Sequence, residues 1–261
     1  SLALEVIWFR ALILVFGSTT YSFTVMLGVF LLGMAVGSLL ISPFLDTIKY
    51  RERWLAAMVA GIGLYTFWSM YRFDDGPEFL LNHLVRRDFS WAGMMEARFI
   101  IALSHLAVPA LLFGAAFSLV TRIVRHDTSS SSGSVGLVYA LNTVGAVMGS
   151  FAGGFILLPH LGMERSLLVV ALLATLAGLI ALAVSLARLW PRIATAGVAV
   201  GVLMLAVLTP PAWNKSMLAA GAFFSPFNFI RDGKVILREH IASDRLLHYR
   251  EALTSTVSVH I

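Results

Sequence analysis

Seven runs of mostly apolar residues, each near the length of a bilayer span, dominate this chain. They lie near 1–17, 19–44, 54–71, 98–121, 135–159, 166–187 and 193–209. About 20 such residues, rising 1.5 Å each as a helix, cross a hydrocarbon layer of about 30 Å. Only 13% of the residues are charged and 59% are hydrophobic, against about 25% charged in a soluble domain. A globule of that composition has too few polar groups to cover its surface. The expected fold is therefore an all-α membrane protein, a polytopic bundle of about seven transmembrane helices with membrane lipids around it. The first run is short, as a clipped helix would be, and no charged leader or cleavage site precedes it, so no signal peptide is expected.

The breaks between runs carry the residues that end helices. Gly17-Ser18-Thr19-Thr20 reads as a tight turn, Asp46 to Arg53 as a charged loop, and Pro191 as the separator of the last two spans. Asp127 to Ser134 reads as a Ser-rich linker. Residues 74–97 mix apolar and charged side chains, which fits a helix in the membrane interface or a loop with one packed helix. Residues 1–210 form the transmembrane helical domain on this reading, and residues 211–261 an extramembrane segment. Arg231, Asp232, Lys234, Arg238, Glu239, Asp244, Arg245, Arg250 and Glu251 crowd that segment too densely for lipid. Its last residues, 254–261, alternate apolar and polar as a β-strand does.

Lipid tails are as apolar as leucine, so membrane helices associate through small residues that allow close approach. Gly145, Gly149 and Gly153 recur at four-residue spacing and predict a packed face on the fifth run; Gly33 and Gly37 do so on the second, Gly197 and Gly201 on the seventh. Glu5 and Arg10 are charges within an apolar run, either lining a substrate or proton pathway or snorkelling from the helix ends. His105 lies four residues before Pro109 and is expected to bond a freed carbonyl or a neighbouring helix; Asn142 is expected to bridge helices. The chain has no cysteine, and His126, His160, His240, His248 and His260 show no metal-ligand spacing. Phosphate-binding, dinucleotide and serine-hydrolase motifs are absent from the sequence, and no complete catalytic site is expected in this chain. The basic residues fall in short clusters suited to lipid headgroups, and no nucleic-acid partner is expected.

Three stretches carry a family resemblance: ALEVIWFRALILVFGSTTYSFTVMLGVFLLGMAVGS at 3–38, VGLVYALNTVGAVMGSFAGGFILLPHLG at 135–162 and LLHYREALTSTVSV at 246–259. Together they resemble bacterial fused membrane proteins that join a major-facilitator-like helical region to a spermidine synthase-like domain. The loop GSLLISPFLDTIKYRER, with Gly37, Asp46 and Arg51, is also similar to a major-facilitator loop, but lacks the usual Asp-Arg pair and the glycine after it. The resemblance implies a multi-pass inner-membrane protein whose segment 211–261 begins a synthase-like domain. It implies aminopropyl transfer from decarboxylated S-adenosylmethionine to putrescine, by residues beyond the strand at 254–261 and by none in this chain. Three roles follow: a membrane domain that anchors such an enzyme or handles a small cation, a transporter-like bundle for a small cationic solute, or a structural or accessory subunit packed against other membrane subunits.

Basic residues in short loops favour the cytoplasmic side. Lys49, Arg51, Arg53, Arg122, Arg125, Arg188 and Arg192 should therefore share one face. With no native cysteine to interfere, single cysteines at positions 51, 125 and 188 should all label from the same side; labelling of 51 and 125 from opposite sides would rule out seven spans.

Overall fold

The computed structural model describes residues 2–127, 131–231, 233–243, 246–251 and 256–260. Each apolar run is helical: α1 (Leu2–Phe16), α2 (Thr20–Ile41), α3 (Arg51–Met70), α5 (Trp91–Asp127), α6 (Ser131–Phe151), α7 (Leu158–Ser185) and α8 (Leu189–Leu208). Between α3 and α5 lies a shorter helix, α4 (Asp75–Arg86). By length and composition four units are apolar enough to cross a membrane: α2, α5, α6 joined to α7, and α8. The bent pair α3 and α4, which turns by 69°, makes a fifth. The α6–α7 unit covers 50 residues, Gly136–Ser185, about 75 Å of helix and far more than one bilayer. A π-helical stretch at Ala152–Leu157 and a left-handed Gly162, with φ 77°, interrupt it.

Two seams of small residues hold the bundle together. On α2, Gly33 and Gly37 meet Ala110 and Leu111 of α5, and Gly114 of α5 meets Met34. A Cβ at Gly37 would overlap the Leu111 carbonyl, and one at Gly114 the Met34 carbonyl. The Ser38 and Ser118 hydroxyls, 2.7 Å apart, extend this seam. The second seam joins α3 to α7, where Gly63 meets Ala171 and Thr175 while Gly178 meets Ala56 and Ala60. Helices in such backbone contact gain dispersion over their whole length.

The glycine face expected on the fifth run is only half realised. Gly153 is buried and Gly149 lies beside it, both against Ala3 of α1. Gly145 is exposed with nothing near its missing Cβ, and Gly197 and Gly201 of α8 are equally open. Ala3 of α1 approaches this face at Gly149 and Gly153, and no described atom approaches it at Gly145.

Helix α1 is the centre of the core. Leu4, Ile7, Trp8, Ala11, Leu12, Val15 and Phe16 are all buried, so much of the apolar surface of the helix is covered by the rest of the chain. Gly17, with φ 80°, reverses the chain after it, and the Thr19 hydroxyl accepts from the Ser22 amide at 3.1 Å to start α2. The break before α8 lies at Leu186–Arg188 rather than at Pro191, which sits in the first turn of α8, where a missing N–H costs nothing. Of the Ser-rich stretch, residues 128–130 lie outside the described residues, and Ser131 already opens α6. Helix α5 runs continuously through Pro109.

The two ends of the bundle differ. At one, Arg122 pairs with Asp46, and Arg53 donates from Nε to the Ser185 carbonyl at 3.2 Å. Three of the basic clusters therefore meet at one end, although the Arg125 side chain lies outside the described residues. At the other, α4 is a packed helix whose Leu80, Leu81 and Leu84 are buried. Segment 211–243 folds over it: Met217 from α9 (Lys215–Ala219), Phe229, and Leu237 from α10 (Leu237–Ser243) close around Leu81. Two strands, β1 (Ile230–Arg231) and β2 (Lys234–Val235), pair within this cap. A second antiparallel hairpin joins β3 (Leu246–Glu251) to β4 (Thr256–His260). The expected terminal strand is present and finds its partner within the chain.

The seams predict an asymmetry. Gly37→Leu drives a side chain into the Leu111 backbone and should abolish monodisperse protein in detergent, whereas Gly145→Leu should leave the elution profile unchanged. Size-exclusion chromatography of both variants decides it.

Candidate functional site

Beneath the cap, four aromatic rings from four segments converge. Trp8 of α1 meets His105 of α5 edge-on at 5.0 Å, Phe73 meets His105 at 5.6 Å, and Trp213 lies 4.3 Å from Phe73. The Trp213 indole donates to the Met70 carbonyl at 3.1 Å, so the cap is tied to the end of α3. His105 is 4% exposed. Its Nδ1 lies 2.9 Å from the Ile101 carbonyl one turn back, an acceptor on its own helix that is neither the carbonyl freed by Pro109 nor a group of a neighbouring helix. Ser104 Oγ lies 2.9 Å from the same nitrogen, so Nδ1 donates to the carbonyl in one tautomer and accepts from the hydroxyl in the other. Nε2 has no partner among the described residues.

Next to this nest lies a pocket of about 270 Å³ between α3 and α5, roofed by α4. Tyr65, Trp68, Ser69 and Arg72 line it from α3 and the turn after it, Asp75 and Phe79 from α4, and Ser104 and His105 from α5. The Arg72 Nε donates to Asp75 at 3.3 Å across its mouth. None of Glu5, Arg10 and Asn142 lines it. Glu5 and Arg10 are half-buried on α1, and Asn142 is exposed on α6 rather than bridging helices. α6 presents most of its described surface outward.

Arg98 escaped the sequence reading although it sits at the very start of the fourth run. It is buried, and its guanidinium donates to the Phe16 carbonyl at 3.0 Å. That places a cation against the C-terminal end of α1, where the helix carbonyls point. A charged residue opening an apolar run was the available signal.

A second polar group forms where the hairpin meets the bundle. The Glu251 carboxylate accepts from the Met163 amide at 2.6 Å and from the Tyr249 hydroxyl at 3.1 Å. Lys215 lies over the Tyr249 ring at 5.5 Å. Burial first, then the neighbouring Glu251 charge, pushes the Tyr249 phenol well above its usual range. Asp74 accepts from the Asn214 amide at 2.8 Å. Among the described residues no three His, Asp or Glu side chains are arranged to hold a metal ion.

The class this architecture defines is a mostly helical protein with several helices long and apolar enough to cross a membrane. No family model matches the chain, and no solved structure matches it. Among curated proteins, polyamine aminopropyltransferase 1 of Streptomyces coelicolor is 25% identical over 234 residues. The match covers 89% of this chain and 38% of that protein. The chain is thus distantly related to a polyamine aminopropyltransferase, which supports the spermidine synthase-like relationship.

The aromatic nest predicts how the cap is held. Trp213→Ala removes a buried ring and a buried hydrogen bond, a loss of about 3–5 kcal/mol for this kind of truncation. Amide hydrogen exchange should then accelerate through 211–243 while α2 and the seam stretch of α5 stay protected.

Proposed function

We propose that this chain is the membrane domain of a spermidine synthase-like protein, a major-facilitator-like bundle of seven spans that anchors the enzyme to the bacterial inner membrane. The observation that carries this reading is the similarity to a polyamine aminopropyltransferase, which extends over 89% of the chain rather than over one motif. On this reading the break at Gly162 divides the α6–α7 unit into two spans, and α1 is a short span shielded from lipid by its neighbours. Residues 211–261 lead from the bundle into the synthase-like domain. Aminopropyl transfer from decarboxylated S-adenosylmethionine to an amine then belongs to that domain. The bundle contributes location and a fixed orientation, through the cap that ties Trp213 to α3 and Glu251 to α7.

The product of the whole reading frame should sediment with membranes and transfer the aminopropyl group of decarboxylated S-adenosylmethionine to putrescine. Radiolabel transfer by the membrane fraction is the readout. Membrane association without any transfer would overturn the enzymatic reading while leaving the bundle intact.

A further inference from the structure

The turn between α7 and α8 gathers arginines that no carboxylate answers. Arg53 reaches it from α3 and donates from Nε to the Ser185 carbonyl at 3.2 Å, with its guanidinium 4.1 Å from the centre of the Tyr50 ring. Arg192, in the first turn of α8, donates from Nε to the next carbonyl, that of Leu186, at 2.6 Å. Arg188 stands exposed in the turn itself. Arg72, Arg87, Arg122 and Arg238 each pair with a carboxylate. Among the described residues Arg53, Arg188 and Arg192 do not: Asp46 is taken by Arg122, and Glu52 pairs with none of the three.

The bonds from Arg53 and Arg192 satisfy carbonyls that the end of α7 leaves without a helical partner. Each uses one of the five donors of a guanidinium. Holding Nε fixes the plane and leaves the two terminal amino groups, which suit the oxygens of a phosphate. The depth of the turn says where that phosphate comes from. α8 has 20 residues, about 30 Å of helix, the thickness of the hydrocarbon layer. Its first turn therefore lies at headgroup level, where an indole is also at home, and Trp190 is 82% exposed there. Ala183 and Val184, in the last turn of α7, line an open groove of about 250 Å³ with Arg192.

We propose that the α7–α8 turn binds an anionic phospholipid, with its phosphodiester on the Arg192 guanidinium and part of an acyl chain in the groove beside Ala183 and Val184. A net negative headgroup offsets the unanswered charge of Arg53, Arg188 and Arg192. A phosphocholine headgroup adds a cation to the same field. Free phosphate leaves the apolar groove uncovered. The inference rests on α7 and α8 crossing the membrane and is independent of the relationship to an aminopropyltransferase.

Native mass spectrometry of the full chain in a neutral detergent, titrated with dioctanoyl phosphatidylglycerol or dioctanoyl phosphatidylcholine, reads the site. Phosphatidylglycerol should form a saturable one-to-one adduct about fivefold tighter than phosphatidylcholine, the worth of one basic residue beside an anionic headgroup. Arg192→Gln should weaken phosphatidylglycerol about tenfold, as the loss of a charged, two-pronged contact does. Arg188→Gln alters an exposed side chain, should weaken it about threefold, and gives the reading if Arg192→Gln fails to purify. Arg87→Gln, at the other end and paired with Glu96, should change nothing. Equal binding of the two lipids, unchanged affinity in Arg192→Gln or Arg188→Gln, or an equal loss in Arg87→Gln would each overturn the proposal. Displacement by excess inorganic phosphate would overturn the assignment to a lipid. No adduct with either lipid, on a chain that stays monodisperse without detergent, would sink the membrane reading along with the site.

Discussion

Backbone contact between helices is the constraint on which the rest of this structure rests. In water, two apolar helix faces are driven together by the removal of hydrocarbon from solvent. Against lipid that drive is missing, and what remains is how closely two backbones approach. The α2–α5 and α3–α7 seams achieve this with Gly33, Gly37, Gly63, Gly114 and Gly178, at most of which an added Cβ would strike backbone. α5 also contacts α3, so the two seams form one block. α1 lies against it, and its Trp8 and Phe16 share one buried core with Val29 of α2, Ile62 of α3, Ile101 of α5 and Leu167 of α7.

The seams also set what the sequence makes legible. All seven apolar runs are helices because apolar length and composition are visible without neighbours. Which glycines matter is not visible in that way. The three glycines at 145, 149 and 153 form the more regular pattern, yet Gly145 is open while the plainer pair at 33 and 37 is in backbone contact. A small residue creates a groove, and only the partner helix decides whether something fills it. On α5 the complementary residues Ala110 and Gly114 sit 77 positions beyond Gly33 and Gly37, a pairing that spacing within one helix cannot reveal.

Polar residues inside apolar runs were legible as unusual, but not as to role. His105 meets the Ile101 carbonyl of its own helix, and it lines the pocket besides. Glu5, Arg10 and Asn142 look equally exceptional in sequence and lie outside that pocket. The difference is tertiary. Tyr65, Ser69 and Ser104 are ordinary residues for membrane helices, and only the crossing of α3 with α5 sets their oxygens around one space. Arg98 shows the converse, a charge overlooked at a run boundary because its partner is the last carbonyl of a helix 82 residues earlier.

The cap gives the bundle its polarity. The end where Arg53 and Arg122 bind loop groups is closed by short connections, whereas the other end carries α4, α9, α10 and the β3–β4 hairpin. Two kinds of contact fix that cap. One is apolar, Trp213 on Phe73 and Leu81 among Met217, Phe229 and Leu237. The other is polar and local, the Glu251 carboxylate on the Met163 amide. That amide is free for a simple reason. Gly162 adopts φ 77°, so α7 restarts at Met163 and exposes the unsatisfied N–H groups that begin any helix. A carboxylate suits that position both as an acceptor and as a charge at the positive end of the helix. The break that divides the long α6–α7 unit is thus the same feature that gives the hairpin its point of attachment, and the hairpin's position follows from where the long apolar helix breaks.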